Sequence, residues 1–183
     1  MATGVWLGRF QPVHKGHLDF LRAAGEHCER IFVFAVGSSL PKDEGINADV
    51  MDRSHDITRN PYGLAERFRW LTMAVEELGS LRCRIFCSMG PRIDYDPDFY
   101  RMALPQDRVF LVSDRDAEED RKRVLLEMAG ETCLTVKGKQ WSRISSTLVR
   151  QALANSDRRA LRDMLPKSIC NEFIDKKAGI NFR

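Results

Sequence analysis

Short apolar runs alternate with stretches whose apolar residues recur every three or four positions. The first run, Val5-Trp6-Leu7-Gly8, gives way to a polar turn and then an amphipathic stretch over 17–26. Residues 30–36 are almost continuously apolar, as expected of a central strand covered on both faces. From 64 to 78, Leu64, Phe68, Leu71, Ala74, Val75 and Leu78 recur at helical spacing. The same reading predicts strands over 84–87, 108–112 and 133–136. It predicts helices over 98–104, 117–129, 148–154, 158–164 and 167–177. Gly130 stands where a helix should stop, and Pro166 just ahead of the last helix, where a first-turn proline is tolerated. Strand alternating with helix predicts an α/β fold: a doubly wound, five-stranded parallel sheet with right-handed crossovers and a helical part over about 145–183.

Residues 40–60 fit neither period. They are polar and hold Pro41 and Gly45. So long a loop in a compact domain is either functional, here a flap over a site, or an ordered insertion without a role, and the pattern favours neither. A length of 183 residues suits one domain over 1–183, and 43% hydrophobic with 30% charged residues is ordinary globular composition. A net charge of +3 is too small to argue for a nucleic-acid partner. Neither a leader nor a membrane span is expected, since the chain enters a strand at once and no apolar run reaches bilayer length. The five cysteines, Cys28, Cys83, Cys87, Cys133 and Cys170, are odd in number and scattered. They read as small apolar residues in a reducing, cytoplasmic setting.

The chemistry concentrates in Gly8-Arg9-Phe10-Gln11-Pro12-Val13-His14-Lys15-Gly16-His17, between the first strand and the first helix. A helix start offers unpaired N–H groups and partial positive charge, which favour phosphate. His14 and His17 share a face if the first helical turn includes both. Gly16 lets backbone and ligand approach closely. A lone His-x-x-His is more often a surface pair, or half of a metal site, but no other His or Cys stands at a supporting spacing. A second helix start lies at Ile144-Ser145-Ser146-Thr147-Leu148-Val149-Arg150, where the hydroxyls suit capping and Arg150 falls on the first turn.

Together these two strings resemble the paired signatures of the HxGH nucleotidyltransferase superfamily, which has a Rossmann-like fold. Within it the chain is most similar to the archaeal-type nicotinamide mononucleotide adenylyltransferases. The likeness extends to Val36-Gly37-Ser38-Ser39, Arg59-Asn60-Pro61-Tyr62 with Glu66-Arg67, and Leu165-Pro166-Lys167. It implies transfer of an adenylyl group from ATP to a nucleotide phosphate, with Mg²⁺ carried mainly by the triphosphate. It also implies a homo-oligomer acting on small nucleotides, without membrane or nucleic acid. By the same likeness His14 and His17 contact the ATP phosphates, and Arg9 and Arg59 bind phosphate oxygens. Arg150 with Ser145, Ser146 and Thr147 would hold the leaving pyrophosphate. Gly8, Phe10, Gln11, Gly16, Gly37, Ser38, Phe99, Ser113, Asp114 and Ile144 complete the implied nucleotide site.

The chain departs from that pattern in places. Ser113-Asp114-Arg115-Asp116 stands where the family usually has Ser-Gly-Asn-Pro, which leaves base choice open. Phe99 or Tyr100 stands near the place of an aromatic that the family stacks on the pyridine ring. The 40–59 insertion is longer than usual, and Ser146 replaces a common glycine. A cytidylyl- or adenylyltransferase acting on another phosphate or phosphonate therefore stays open, as does a nucleotide sensor without turnover.

Overall fold

Among the described residues, five parallel strands, β1 (Ala2–Gly8), β2 (Cys28–Val36), β3 (Arg84–Gly90), β4 (Arg108–Ser113) and β5 (Cys133–Val136), form one sheet in the order β3-β2-β1-β4-β5. The structure is a computed structural model that describes residues 2–37, 60–93, 95–115, 117–138 and 142–178. The expected flap over 40–59 lies outside them. The helices are α1 (Lys15–Ala24), α2 (Leu64–Glu76), α3 (Pro97–Ala103), α4 (Ala117–Met128), α5 (Ser146–Ala154), α6 (Arg158–Met164) and α7 (Lys167–Ala178).

The side-chain alternation of the central strands divides the core in two. Trp6, Ile31, Val33, Ala35 and Leu111 face a cluster that includes Leu18 and Leu21 of α1, Trp70 and Leu71 of α2, and residues of α5, α6 and α7. Val5, Leu7, Phe34, Val36, Phe110 and Val112 face the other cluster, with Tyr100 of α3 and Leu126 of α4. A strand has period two, so an uninterrupted apolar run feeds both faces at once. The doubly wound sheet expected from the sequence is what the chain forms.

The strand order places the chain's reversal between β1 and β4. From β1 the chain runs outward through β2 to β3, then returns to lay β4 beside β1 and continues to β5. Ligands of open α/β sheets bind outside the carboxyl ends of the strands at such a switch point. Pairing between β1 and β4 runs only from Thr3↔Arg108 to Val5↔Phe110. On their outer sides β1 pairs with β2 as far as Gly8, and β4 with β5 as far as Ser113. The two strands therefore part after Val5 and Phe110, and the turns that follow Gly8 and Ser113 border the opening.

Several elements extend beyond their expected bounds. The strand expected over 84–87 runs on to Gly90, and the second strand begins at Cys28 rather than Arg30. β3 lies at the edge of the sheet, and its burial alternates only weakly, so hydrophobicity marks its end poorly. α1 starts at Lys15, two residues earlier than expected, because His14 already serves as its N-cap. α5 starts at Ser146, capped by Ser145, whose Oγ accepts from the Leu148 N–H at 3.2 Å. All five cysteines are free, and Cys28, Cys83 and Cys170 are buried.

The start of β4 is pinned by a buried ion pair. Arg108 donates through Nε to Glu131 Oε2 at 3.0 Å and through Nη2 to Oε1 at 2.7 Å. Both residues are almost wholly covered. Arg108→Met leaves the buried carboxylate with the longer contact to the half-exposed Arg101, at 3.8 Å, and is expected to cost about 3 kcal/mol, measured by urea unfolding at neutral pH. Replacing Glu131 by Leu as well should restore most of that loss; a single variant as stable as the wild type would contradict the role assigned to the pair.

Candidate nucleotide-binding site

The α1 start is built from two stacked imidazoles. His14 has extended backbone and is 2% exposed. Its ring lies 3.7 Å from that of His17, centroid to centroid. The His14 N–H donates to His17 Nδ1 at 3.0 Å, so one orphan donor of the helix start is satisfied by the third helical residue. Because His17 Nδ1 accepts, a neutral His17 carries its proton on Nε2. Phe10 meets the His17 ring edge-on at 5.0 Å, and Trp6 lies against it at 5.7 Å. His14 Nδ1 is buried and finds no hydrogen-bond partner. Gly16 makes this possible: a Cβ there would stand 3.1 Å from His14 Nδ1.

Both histidines are held neutral. Burial pushes His14 down to about 3, helped by the charge of Arg115. Burial likewise takes His17 well below the usual imidazole range, with His14, Arg115 and Lys122 adding to the effect. An unpaired buried imidazole cannot afford a charge unless an anion arrives to balance it.

The preceding loop is fastened by its carbonyls. Arg67 Nη1 donates to the Arg9 carbonyl at 2.6 Å and to the Val36 carbonyl at 2.9 Å, and its Nε donates to the Tyr62 carbonyl at 3.0 Å. Arg150 Nη1 donates to the Gln11 carbonyl at 2.6 Å. The Ser146 hydroxyl donates to the Pro12 carbonyl at 3.0 Å. The two helix starts predicted from the sequence are thus in direct contact. Phe10, at a φ of 48°, turns its ring into the core, and a Cβ on Gly8 would meet that ring at 2.6 Å. Gly8 is therefore required by Phe10.

The other expected residues fall in three groups. Thr147 accepts from Arg150 Nη2 at 3.2 Å, and Ile144 offers its carbonyl to Arg115 at 2.9 Å, so both border the seam between α1 and α5. Ser113 ends β4 across the opening and Asp114 follows it, and there the Ser113 N–H donates to Glu119 at 2.9 Å. Arg9 makes an ion pair there with Glu118 at 2.8 Å. Gln11 is committed elsewhere: its side-chain amide exchanges two hydrogen bonds with the Tyr62 backbone, at 3.2 and 3.1 Å. Gly37 packs beside Arg67 at the end of β2. Phe99 is half-buried against Phe34 beyond the end of β3, away from the seam, whereas Tyr100 is wholly buried with its hydroxyl bonded to the Pro91 carbonyl. Arg59 and Ser38 lie outside the described residues.

Three residues assigned no role from the sequence shape the site. Arg67 stood in the resemblance without a role of its own, yet it is 5% exposed and joins three segments. Trp6 read as a strand residue but walls His17. Lys15 lies inside the histidine motif, yet its ammonium caps α6 through the Arg162 and Asp163 carbonyls at 2.8 and 2.9 Å. Among the described residues no group of three or more His, Cys, Asp or Glu could hold a metal ion. No helix among them is long and apolar enough to cross a membrane.

Two helix starts in contact at the switch point of a parallel α/β sheet suit a polyanionic ligand such as a nucleotide. Residues 5–152 match the family model described as cytidylyltransferase-like, and the chain belongs to that nucleotidyltransferase family. The nicotinamide-nucleotide adenylyltransferase of Pyrococcus abyssi is 33% identical over 188 residues, covering 98% of this chain and 86% of that one. Some matches to other relatives of that name span under half of their length. The phosphonoformate cytidylyltransferase of Streptomyces viridochromogenes is 35% identical over 79 residues, 43% of this chain and 41% of that one. The crystal structure of a bifunctional NMN adenylyltransferase/ADP ribose pyrophosphatase from Francisella tularensis superposes with a TM-score of 0.57 at 15% identity, over 85% of this chain and 43% of that one. That likeness bears on the fold.

The depressed histidines set a sign for stability. Between about 3 and 6.5 the unfolded chain binds a proton at position 14 that the ligand-free folded chain refuses, so stability rises with pH there. Lowering the pH from 7 to 5.5 should cost roughly 1 kcal/mol through His14. His14→Asn should flatten that part of the profile in denaturant titrations; an unchanged slope would contradict a buried neutral imidazole.

Proposed function

We propose that this chain transfers an adenylyl group from ATP to nicotinamide mononucleotide, giving NAD and pyrophosphate. The observation that carries this is the contact between the two helix starts, with Arg150 and Ser146 bonded to the loop that precedes His14. Both groups then lie within reach of one triphosphate. A phosphate oxygen of the acceptor attacks the α-phosphorus in line, and the bond to the bridging oxygen breaks as pyrophosphate leaves. A phosphate monoester is already anionic at neutral pH, so the step needs no enzyme nucleophile and no strong base. The protein must align two anions and stabilise the charge that grows on the bridging oxygen.

His17, with its proton on Nε2, and His14 supply donors at the α1 start. Arg150, Ser145 and Thr147 hold the leaving phosphates, and Arg9 and Arg59 neutralise phosphate oxygens. Arg9 must exchange Glu118 for a phosphate, a gain because the ion pair with Glu118 is exposed and weak. By the resemblance, a divalent ion, Mg²⁺, would travel with the triphosphate and help to neutralise it. The working protein is taken to be a cytoplasmic homo-oligomer of single-domain chains.

A second reading keeps the chemistry and changes the substrates: a cytidylyltransferase acting on another phosphate or phosphonate. Asp114 and Arg115, in place of the family's Gly-Asn, favour it, as does the partial likeness to the phosphonoformate enzyme. The four nucleoside triphosphates set against several acceptors, read by pyrophosphate release, separate the two. ATP with nicotinamide mononucleotide is expected to give NAD at the highest kcat/KM; no NAD would refute the proposal. His17→Gln keeps an acceptor for the His14 N–H, so it should fold normally yet lose about 10²–10³ in kcat. Undiminished turnover in that variant would remove His17 from the reaction.

A further inference from the structure

The turn after β4 is where the chain departs most from its resemblance, and it brings a cation to the site that the function above does not use. Arg115 Nη2 donates to the Ile144 carbonyl at 2.9 Å. That carbonyl immediately precedes Ser145, the cap of α5. It also lies 3.5 Å from the point where a Cβ on Gly16 would stand. One oxygen thus marks the seam where the α1 and α5 starts meet, and the Arg115 guanidinium sits on it, reaching across from the far wall of the opening. Its charge is felt by both His14 and His17. Arg115 is itself exposed, whereas His14 is buried. A guanidinium has five N–H donors in a planar fork, and a bond to phosphate is about twice as strong as one to a neutral carbonyl.

We propose that Arg115 is a triphosphate-contacting residue, gripping the terminal phosphates from the β4 side while Arg150 and the α5 start grip them from the other. An asparagine at this position, as in the resembled family, could donate a hydrogen bond but no charge. The inference rests on the nucleotidyltransferase reading and adds a specificity determinant to it.

The test compares binding of a non-hydrolysable ATP analogue and of AMP, by calorimetry on the full chain. Arg115→Gln can still donate to the Ile144 carbonyl but carries no charge. It should weaken the analogue about tenfold and leave AMP within about twofold. Wild-type affinity for the analogue in this variant, or equal losses for both nucleotides, would overturn the proposal, because either result makes Arg115 a support for Ile144 or an idle group. Should the glutamine variant not fold, Arg115→Lys carries the test. It keeps the charge without the fork and should lose a few fold for the analogue alone; wild-type binding of both nucleotides would overturn the proposal. A wild-type protein that binds neither nucleotide overturns the function proposed above as well, which separates the two failures.

Discussion

The structure depends on how one loop of backbone is held. Between Gly8 and His14 the chain must leave a buried strand, turn, and enter a helix whose start stays accessible. A buried carbonyl without a partner is costly, so each needs a donor. Here the donors are side chains from distant segments: Arg67 for Arg9, Arg150 for Gln11 and Ser146 for Pro12. The Gln11 side chain in turn fastens Tyr62. Holding this loop therefore also sets where α2 and α5 begin. Burial pulls the Arg67 side chain down to about 10, with Arg9 contributing, and it still stays protonated near neutral pH. The frame combines charge-assisted bonds from Arg67 and Arg150 with neutral ones from Ser146 and Gln11.

This frame has an electrostatic consequence. The α1 start, Arg150, Arg115 and Arg9 all bring positive potential to one opening, while the buried His14 and the partly covered His17 beside them stay neutral. The ligand-free site stores a demand for negative charge. On the function proposed, an arriving polyphosphate would relieve the repulsion among the cations and accept hydrogen bonds from His14 and His17. Glu118 and Glu119, at the start of α4, offset part of that demand in the meantime through Arg9, Lys122 and the Ser113 N–H.

The fold was readable in advance because its central strands are buried on both faces and its helices are amphipathic; Ile31 to Val36 and Leu64 to Leu78 mark their elements by pattern alone. The pairing of two helix starts was readable from motif identity, not from physics, since no local pattern tells a chain that residue 146 will meet residue 12. What sequence could not reveal is how side chains are shared out. Gln11 and Phe10 lie inside the motif yet spend their side chains on Tyr62 and on the core. Arg67 and Arg115 lie outside it yet reach its backbone or its electrostatics. Lys15 stands between the two glycine-flanking histidines and caps a helix nearly 150 residues away. These assignments follow from three-dimensional proximity, which a one-residue spacing does not encode.

The most direct test of the account is a crystal structure with a non-hydrolysable ATP analogue. The β- and γ-phosphates should lie between the α1 and α5 starts, within hydrogen-bonding distance of His17 Nε2 and the Arg150 guanidinium together. Phosphates bound beyond the reach of either group, or a nucleoside occupying that seam in their place, would contradict it.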